Sequence, residues 1–249
     1  MDFSAVSSQT VLGKMLRLPL KLVPSQAKVP ILQGRLKGEK WVVGSGVHGY
    51  WLGSYETEKQ QVLAKLIAQG DVVFDIGAHV GFYSLLASVL VGSTGHVYAF
   101  EPLPRNLFYL REHLRLNHIS NVTVVEAAVS DRCGVAGFDE GTNSFAGHIA
   151  ADGNLQVETL CLDEMVPGKI PPPDCIKVDA EGAEMLILSG AESVLANFHP
   201  IVLLATHGCL VHGECCRFLE DLGYVLWPLD RKPLEKSREL LAIVEVADT

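Results

Sequence analysis

The stretch that most constrains this chain runs from Asp71 to Gly81, Asp-Val-Val-Phe-Asp-Ile-Gly-Ala-His-Val-Gly, and continues into Phe-Tyr-Ser-Leu-Leu-Ala. Val72, Val73, Phe74 and Ile76 form the short apolar run of a strand buried on both faces, whereas Leu85, Leu86 and Val89 recur at helical spacing. The stretch therefore reads as strand, tight turn and helix. Gly77 and Gly81 suit a turn that needs positive φ or close approach of backbone to a ligand, and the helix behind them begins with free N–H groups. Such a corner binds ligands.

Charge and spacing narrow the ligand. A dinucleotide fingerprint is G-x-G-x-x-G with pyrophosphate on the helix N-terminus, but here the spacing is Gly77-x-x-x-Gly81. Asp75, at the end of the strand, would repel a phosphate and attract an amino group or a sulfonium. S-adenosylmethionine carries both cations and no phosphate. Gly95-His-Val-Tyr-Ala-Phe-Glu101-Pro reads as a second strand ending in an acid, twenty positions after Gly81. An acid so placed can accept both ribose hydroxyls of a nucleoside.

From Asp71 onward strand and helix patterns alternate, which predicts an α/β fold: a seven-stranded, mostly parallel sheet with helices on both faces. Strands are expected near 71–76, 96–100, 122–126, 174–179 and 200–205, and helices near 80–91, 104–117, 183–196 and 212–222. Two last strands, near 224–228 and 239–246, have no helix between them and are expected to pair antiparallel. Residues 131–173 interrupt the rhythm as a long insertion, for which substrate recognition is the natural role. Before the corner, residues 9–22 read as a short basic amphipathic helix, 29–36 and 40–43 as a hairpin, and 56–69 as a helix. The glycine- and aromatic-rich residues 44–55 form a loop able to close over the corner. The chain thus divides into an N-terminal basic arm and hairpin, 1–45, and a main domain, 46–249.

With 249 residues, 48% of them hydrophobic and 20% charged, the chain can bury a sizeable core. Its net charge of −9 disfavours nucleic-acid binding, which needs clustered Lys and Arg. Residues 1–40 are the exception, with seven Lys and Arg against Asp2 and Glu39. That arm is expected to dock on its own domain, with a weak contact to a membrane surface or a cover over the active site as alternatives. No secretory signal and no apolar run of membrane-spanning length is apparent, so a cytoplasmic location is expected. The six cysteines are scattered in a chain too large to need staples and are expected to be reduced.

These residues resemble the FkbM-type methyltransferases, a family within the Rossmann-like class I enzymes that use S-adenosylmethionine. The resemblance runs from about Trp41 to about Tyr224. It is carried by Tyr55-Glu56, Asp75-Ile-Gly-Ala-His-Val-Gly81-Phe-Tyr, Tyr98-Ala-Phe-Glu-Pro102, Asn106, Asn117, Ala128-Val-Ser-Asp131 and Ile176-Lys-Val-Asp-Ala-Glu-Gly-Ala-Glu184. It implies that the glycine turn cradles the methionine part of the cofactor, that Glu101 takes the ribose, and that Ala127 and Ala128 flank adenine. The cofactor-binding positions it carries over are Glu56, Asp75, Gly77, Ala78, His79, Gly81, Glu101, Pro102, Asn106, Ala127, Ala128 and Asp179. The implied activity is O-methylation of a hydroxyl on a small molecule or glycan, of sugar or polyketide type. Many relatives place an acid and then a His at the end of the fifth strand, where this chain reads Leu203-Leu-Ala-Thr-His207.

Methyl transfer asks the protein to align an acceptor oxygen and to make it nucleophilic with a base or a metal. Asp179 and His207 are the ionisable residues expected at the ends of the fourth and fifth strands, where open parallel sheets place their sites. Either could be the base, and with Glu181 they could hold a divalent metal, which is possible but not expected from these residues alone. Lys177 is expected in a central strand, paired with Asp179, Glu181 or Glu184, or else acting as a catalytic lysine of lowered pKa. His207, Cys209, His212, Cys215 and Cys216 match no zinc spacing, and the two adjacent thiols fall on the apolar face of a helix. Two rival functions remain at this stage. One is an NAD-dependent oxidoreductase, opposed by Asp75 and the missing third glycine; the other is a non-catalytic cofactor-binding relative.

Overall fold

The structure, a computed structural model, describes residues 19–139, 147–149, 153–230 and 232–245. Most of the basic helix expected over 9–22 lies outside the described residues, which begin with a single 3-10 turn, Pro19–Leu22. The hairpin follows as β1 (Lys28–Pro30) and β2 (Lys40–Val42), paired antiparallel. Then come α1 (Gly49–Leu52), α2 (Thr57–Leu66), β3 (Val72–Ile76), α3 (Phe82–Val91), β4 (His96–Phe100), α4 (Pro104–Leu116) and β5 (Val122–Val125). A second set of strands comprises β6 (Ala128–Val129), β7 (Gly134–Asp139), β8 (His148–Ile149) and β9 (Leu155–Leu160). The chain ends with β10 (Cys175–Val178), α5 (Glu184–Ser189), α6 (Glu192–Phe198), β11 (Ile201–Ala205), α7 (Cys209–Asp221), β12 (Val225–Pro228) and β13 (Glu239–Ile243).

Seven strands form one sheet in the order β12-β13-β11-β10-β3-β4-β5. The five from β11 to β5 run parallel, and β13 lies antiparallel to both β11 and β12. Period-two alternation divides the sheet between two cores. Phe74, Ile76, Ile176, Val178, Val202 and Leu204 face one core, which includes Ile187, Val194 and Leu219 from α5, α6 and α7. Val73, Cys175 and Leu203 face the other, with Leu85 and Leu86 of α3 and Trp41 of the hairpin. The helices therefore cover both faces, as parallel strands require.

Two expectations are corrected. The single helix expected over 183–196 is two, because Gly190 meets a distant segment: its carbonyl accepts the Asp163 N–H at 2.9 Å, and a Cβ there would strike the Ser130 carbonyl. Asp163 then caps α6 from afar, its carboxylate accepting the N–H groups of Ser193 and Val194, both at 2.9 Å. The insertion over 131–173, in which no strands were expected, carries strands of its own. Its described parts, with β6, build a separate four-stranded sheet in the order β6-β9-β7-β8. None of the six cysteines is in a disulfide. Among the described residues no helix is long and apolar enough to cross a membrane.

Candidate active site

The carboxyl ends of β3, β4 and β10 open into one cleft, as expected for ligand sites of open α/β sheets. Of the residues singled out from the sequence, Gly77, Ala78, His79, Glu101, Pro102, Asn106, Ala127, Ala128, Lys177, Asp179 and Glu181 line it. Glu56, Asp75, Gly81 and His207 lie outside that lining.

At one end stands Glu101, 4% exposed. Its Oε1 accepts the Leu103 N–H at 2.9 Å and the Asn106 Nδ2–H at 3.1 Å, and its Oε2 accepts the His79 N–H at 2.8 Å. Burial raises its pKa, against the opposing pull of these three donors. The carboxylate is thus fixed in place before any ligand arrives. Asn106, oriented by that bond, leaves its buried Oδ1 without a hydrogen-bond partner. A buried acceptor left open on a cleft wall fits a polar ligand.

The turn between β3 and α3 is shaped by two glycines. Gly77 has φ +73°, and a Cβ there would run into the carbonyl oxygen of Asp179; Gly81 has φ +89° and packs against Leu110. Gly77 therefore lets the β10 end approach the turn, while Gly81 serves packing rather than the cleft wall.

Beneath the cleft lies a buried ionic chain. The sequence pointed Asp75 at the ligand, but it is 1% exposed: Oδ2 accepts the Ser84 hydroxyl at 2.6 Å, and Oδ1 faces Lys177 Nζ at 3.1 Å. Register explains this, since Lys177 on β10 sits opposite Asp75 on β3. Lys177 Nζ is 4.0 Å from Asp179 Oδ2 and 5.1 Å from the centroid of the Tyr83 ring. Its main partner is the cross-strand Asp75, not Glu181 or Glu184. Burial lowers the Lys177 pKa, but Asp75 and Asp179 outweigh it and the net shift is upward. The group is a locked ammonium, which corrects the idea of a lysine of lowered pKa.

The chain of contacts continues outward. Tyr83 Oη donates to Glu56 Oε2 at 2.5 Å, and Lys59 Nζ bridges Glu56 at 3.0 Å and Glu239 at 2.7 Å. Glu56 supports the cleft wall through Tyr83. Glu239 stands opposite Ala205 in the β11–β13 register, so an acid comes from the neighbouring strand where the fifth strand lacks one.

At the other end of the cleft is a cluster of Asp179, Glu181, His207 and Glu184. His207 Nδ1–H donates to Glu184 Oε1 at 2.8 Å, while Nε2 lies 3.8 Å from Asp179 Oδ1 and 3.7 Å from Glu181 Oε1. The Glu184 bond raises the His207 pKa; burial opposes it, and the charges of Glu181, Glu184 and Asp179 add to the rise. Glu184, 0% exposed, also accepts the Gly182 N–H at 2.8 Å. Asp179, Glu181 and His207 each offer an atom within 4.8 Å of the others, a donor set that could hold a metal ion. Glu181 is held at φ +47°, a left-handed backbone that is costly for a side-chain-bearing residue.

Sequence reasoning assigned no role to the aromatic lining: Tyr50, Tyr55, Phe82, Tyr83 and Phe138. The glycine- and aromatic-rich segment before Glu56 and the Gly81-Phe-Tyr motif held the first four, whereas nothing signalled Phe138. Burial raises the pKa of Tyr50 and Tyr55, so they remain hydroxyl donors. Of the His and Cys residues of α7, His212 is hydrogen-bonded to Thr206 and to the Leu234 carbonyl, Cys215 and Cys216 are buried, and Cys209 is exposed against Arg238.

A seven-stranded sheet of this order, with a glycine turn and a buried acid at the ends of adjacent strands, defines a Rossmann-like class I methyltransferase whose cofactor is S-adenosylmethionine. Glu101, the open Asn106 Oδ1 and the side-chain-free turn at Gly77 fit that cofactor. Residues 75–226 match the methyltransferase FkbM domain, and the chain belongs to that family. This sets aside the oxidoreductase alternative. The chain is 25% identical over 151 residues to the hexuronic acid methyltransferase AglP of Haloferax volcanii, covering 59% of this chain and 61% of that protein. It is 36% identical over 64 residues to a protein-L-isoaspartate O-methyltransferase of Ignicoccus hospitalis, covering 26% and 30%. The chain thus spans less than two thirds of either curated relative. The fold is also similar to a crystal structure of methyltransferase FkbM from Methylobacillus flagellatus. That likeness has a TM-score of 0.54 and 16% identity, over 78% of this chain and 53% of that one.

Proposed function

We propose that the chain transfers the methyl group of S-adenosylmethionine to an oxygen of a sugar-type acceptor, a small molecule or glycan. The observation that carries this reading is the cleft itself. Its lining brings together the fixed acid Glu101, Asp179 and the rings of Tyr50, Tyr55 and Phe138, and His207 stands beside it, 3.8 Å from Asp179. Tyr50, Tyr55 and Phe138 offer flat apolar faces, against which the C–H face of a sugar ring packs while its hydroxyls reach polar groups. The similarity to a hexuronic acid methyltransferase supports this acceptor class.

The cofactor, when bound, supplies a methyl group already activated by its sulfonium. What this chain adds is placement and a proton acceptor. Asp179 lines the cleft with Oδ1 turned toward His207 and Oδ2 toward Lys177, so its carboxylate can take the acceptor's hydroxyl proton while the Lys177 ammonium holds it in orientation. Tyr50 and Tyr55 line the cleft with their rings.

The test is transfer of methyl-labelled S-adenosylmethionine to a panel of hexoses, hexuronic acids and their glycosides. Alkali treatment of the product separates a stable ether from a labile ester. Label in an alkali-stable sugar product is expected. Binding of the cofactor with no transfer to any oxygen acceptor would instead identify a non-catalytic relative.

A further inference from the structure

We propose that Asp179, Glu181 and His207 form a divalent-cation site at the rim of the cleft, with Glu184 as the outer carboxylate that orients the histidine ligand. The tautomer comes first. A carboxylate only accepts, so the 2.8 Å contact with Glu184 Oε1 places the proton of neutral His207 on Nδ1 and leaves the Nε2 lone pair facing Asp179 and Glu181. This carboxylate–histidine arrangement is the one that sets ring orientation at metal sites.

The spacing comes second. Nε2 is 3.8 and 3.7 Å from the two carboxylate oxygens, beyond hydrogen-bond length. Two metal–ligand bonds of about 2.1 Å, opening at a tetrahedral or somewhat wider angle, span about 3.4 to 3.8 Å. The gap between these ligand atoms is the width a cation fills. Asp179 is already turned for one-oxygen ligation, because Lys177 stands on the Oδ2 side.

Third, Glu184 is wholly buried and, among the described residues, its Oε2 has no hydrogen-bond partner and its Oε1 meets only the Gly182 N–H and His207. A buried carboxylate so sparsely satisfied is costly unless positive charge lies near, and a cation on His207 would supply it. The donor set, two carboxylates and one imidazole at near-tetrahedral spacing, suits a Zn2+- or Mn2+-like ion with its remaining positions open to the cleft. There the ion would take an acceptor oxygen as a ligand and lower the pKa of its hydroxyl. The inference rests on the methyl-transfer reading for its purpose, but not for its existence.

The experiment titrates Mn2+ into the full chain, with free Mn2+ followed by electron paramagnetic resonance and Zn2+ as competitor, and S-adenosylmethionine into the same protein separately. Saturable binding at one site is expected. Glu181→Gln should weaken it at least about tenfold and Glu184→Gln by about ten- to a hundredfold. Thermal melting checks that each variant folds, and the exposed His207→Gln repeats the test if either does not. The proposal is overturned if the wild type binds the cofactor but shows no saturable Mn2+ binding, or if Mn2+ binds equally to wild type and folded variants. Variant-sensitive Mn2+ binding in a protein that does not bind S-adenosylmethionine would uphold the site and sink the methyltransferase function instead.

Discussion

Acid should loosen this protein through His113, and the size of the effect follows from its surroundings. His113 lies on α4, is 0% exposed and stacks on Trp41 of the hairpin, with ring centroids 3.6 Å apart and planes 13° from parallel. Its Nδ1 lies 2.8 Å from the Val80 carbonyl and must donate to it; its Nε2 accepts the Val42 N–H at 3.2 Å. The ring is therefore neutral with the proton on Nδ1, and it bolts the hairpin to the main sheet's helices. A second proton would set two donors against each other at Nε2. Burial accordingly pushes the His113 pKa from 6.5 down to about 4, although the Val80 bond resists the shift.

The sign follows from proton counting. Above pH 6.5 neither folded nor unfolded His113 carries the proton, and pH has no leverage through this residue. Below it the unfolded chain takes up a proton that the folded chain refuses, so stability falls by about 1.4 kcal/mol per pH unit, to a total of about 3 kcal/mol near pH 4. Urea unfolding of wild type and His113→Phe from pH 7.5 to 4 isolates this part, because the carboxylates titrate alike in both. At pH 7.5 the variant should be the less stable, having stranded the Val42 N–H and the Val80 carbonyl. The gap should then narrow by about 3 kcal/mol as pH falls to 4. Parallel curves would refute the buried, neutral histidine.

Two further outcomes test the cleft and its floor. Glu101→Gln should weaken S-adenosylmethionine binding about ten- to a hundredfold by calorimetry, because it removes a charged acceptor and sets an amide N–H against one of the donors that fix the side chain; unchanged affinity would detach Glu101 from the ribose. Lys177→Met should destabilise the fold by about 3 to 5 kcal/mol in urea melts by leaving the buried Asp75 charge without its cation, and adding Asp75→Asn should restore part of that. A double variant no more stable than the single one would show that the pair is not coupled.

How far the sequence reaches is visible in where it stops. All seven strands of the main sheet were readable: central strands buried on both faces leave uninterrupted apolar runs such as Val202-Leu-Leu-Ala205, and the less buried β5, β12 and β13 stay largely apolar all the same. The strands β6 to β9 were not, since β7 and β9 mix exposed polar and small residues and take their pattern from each other rather than from a deep core. The break between α5 and α6 was hidden for another reason. The side chain that caps α6 is Asp163, some 30 residues away, and no local rule anticipates a cap arriving from another segment.

The same limit governs the site. Spacing alone placed Glu101, Gly77 and Asp179 in the cleft, because each is fixed by its position at a strand end. It could not decide what Asp75 faces. Alternation puts Lys177 and Asp179 on one face of β10, which made Asp179 the natural partner. The β3–β10 register instead sets Lys177 directly across from Asp75, and the shorter contact wins, 3.1 Å against 4.0 Å. The consequence reaches the cleft. With its ammonium engaged by Asp75 at 3.1 Å, Lys177 stands 4.0 Å from Asp179 Oδ2 and leaves Oδ1 turned toward His207. An acid meant for the ligand has become the support for the acid that faces it, an exchange that only the pairing of two strands reveals.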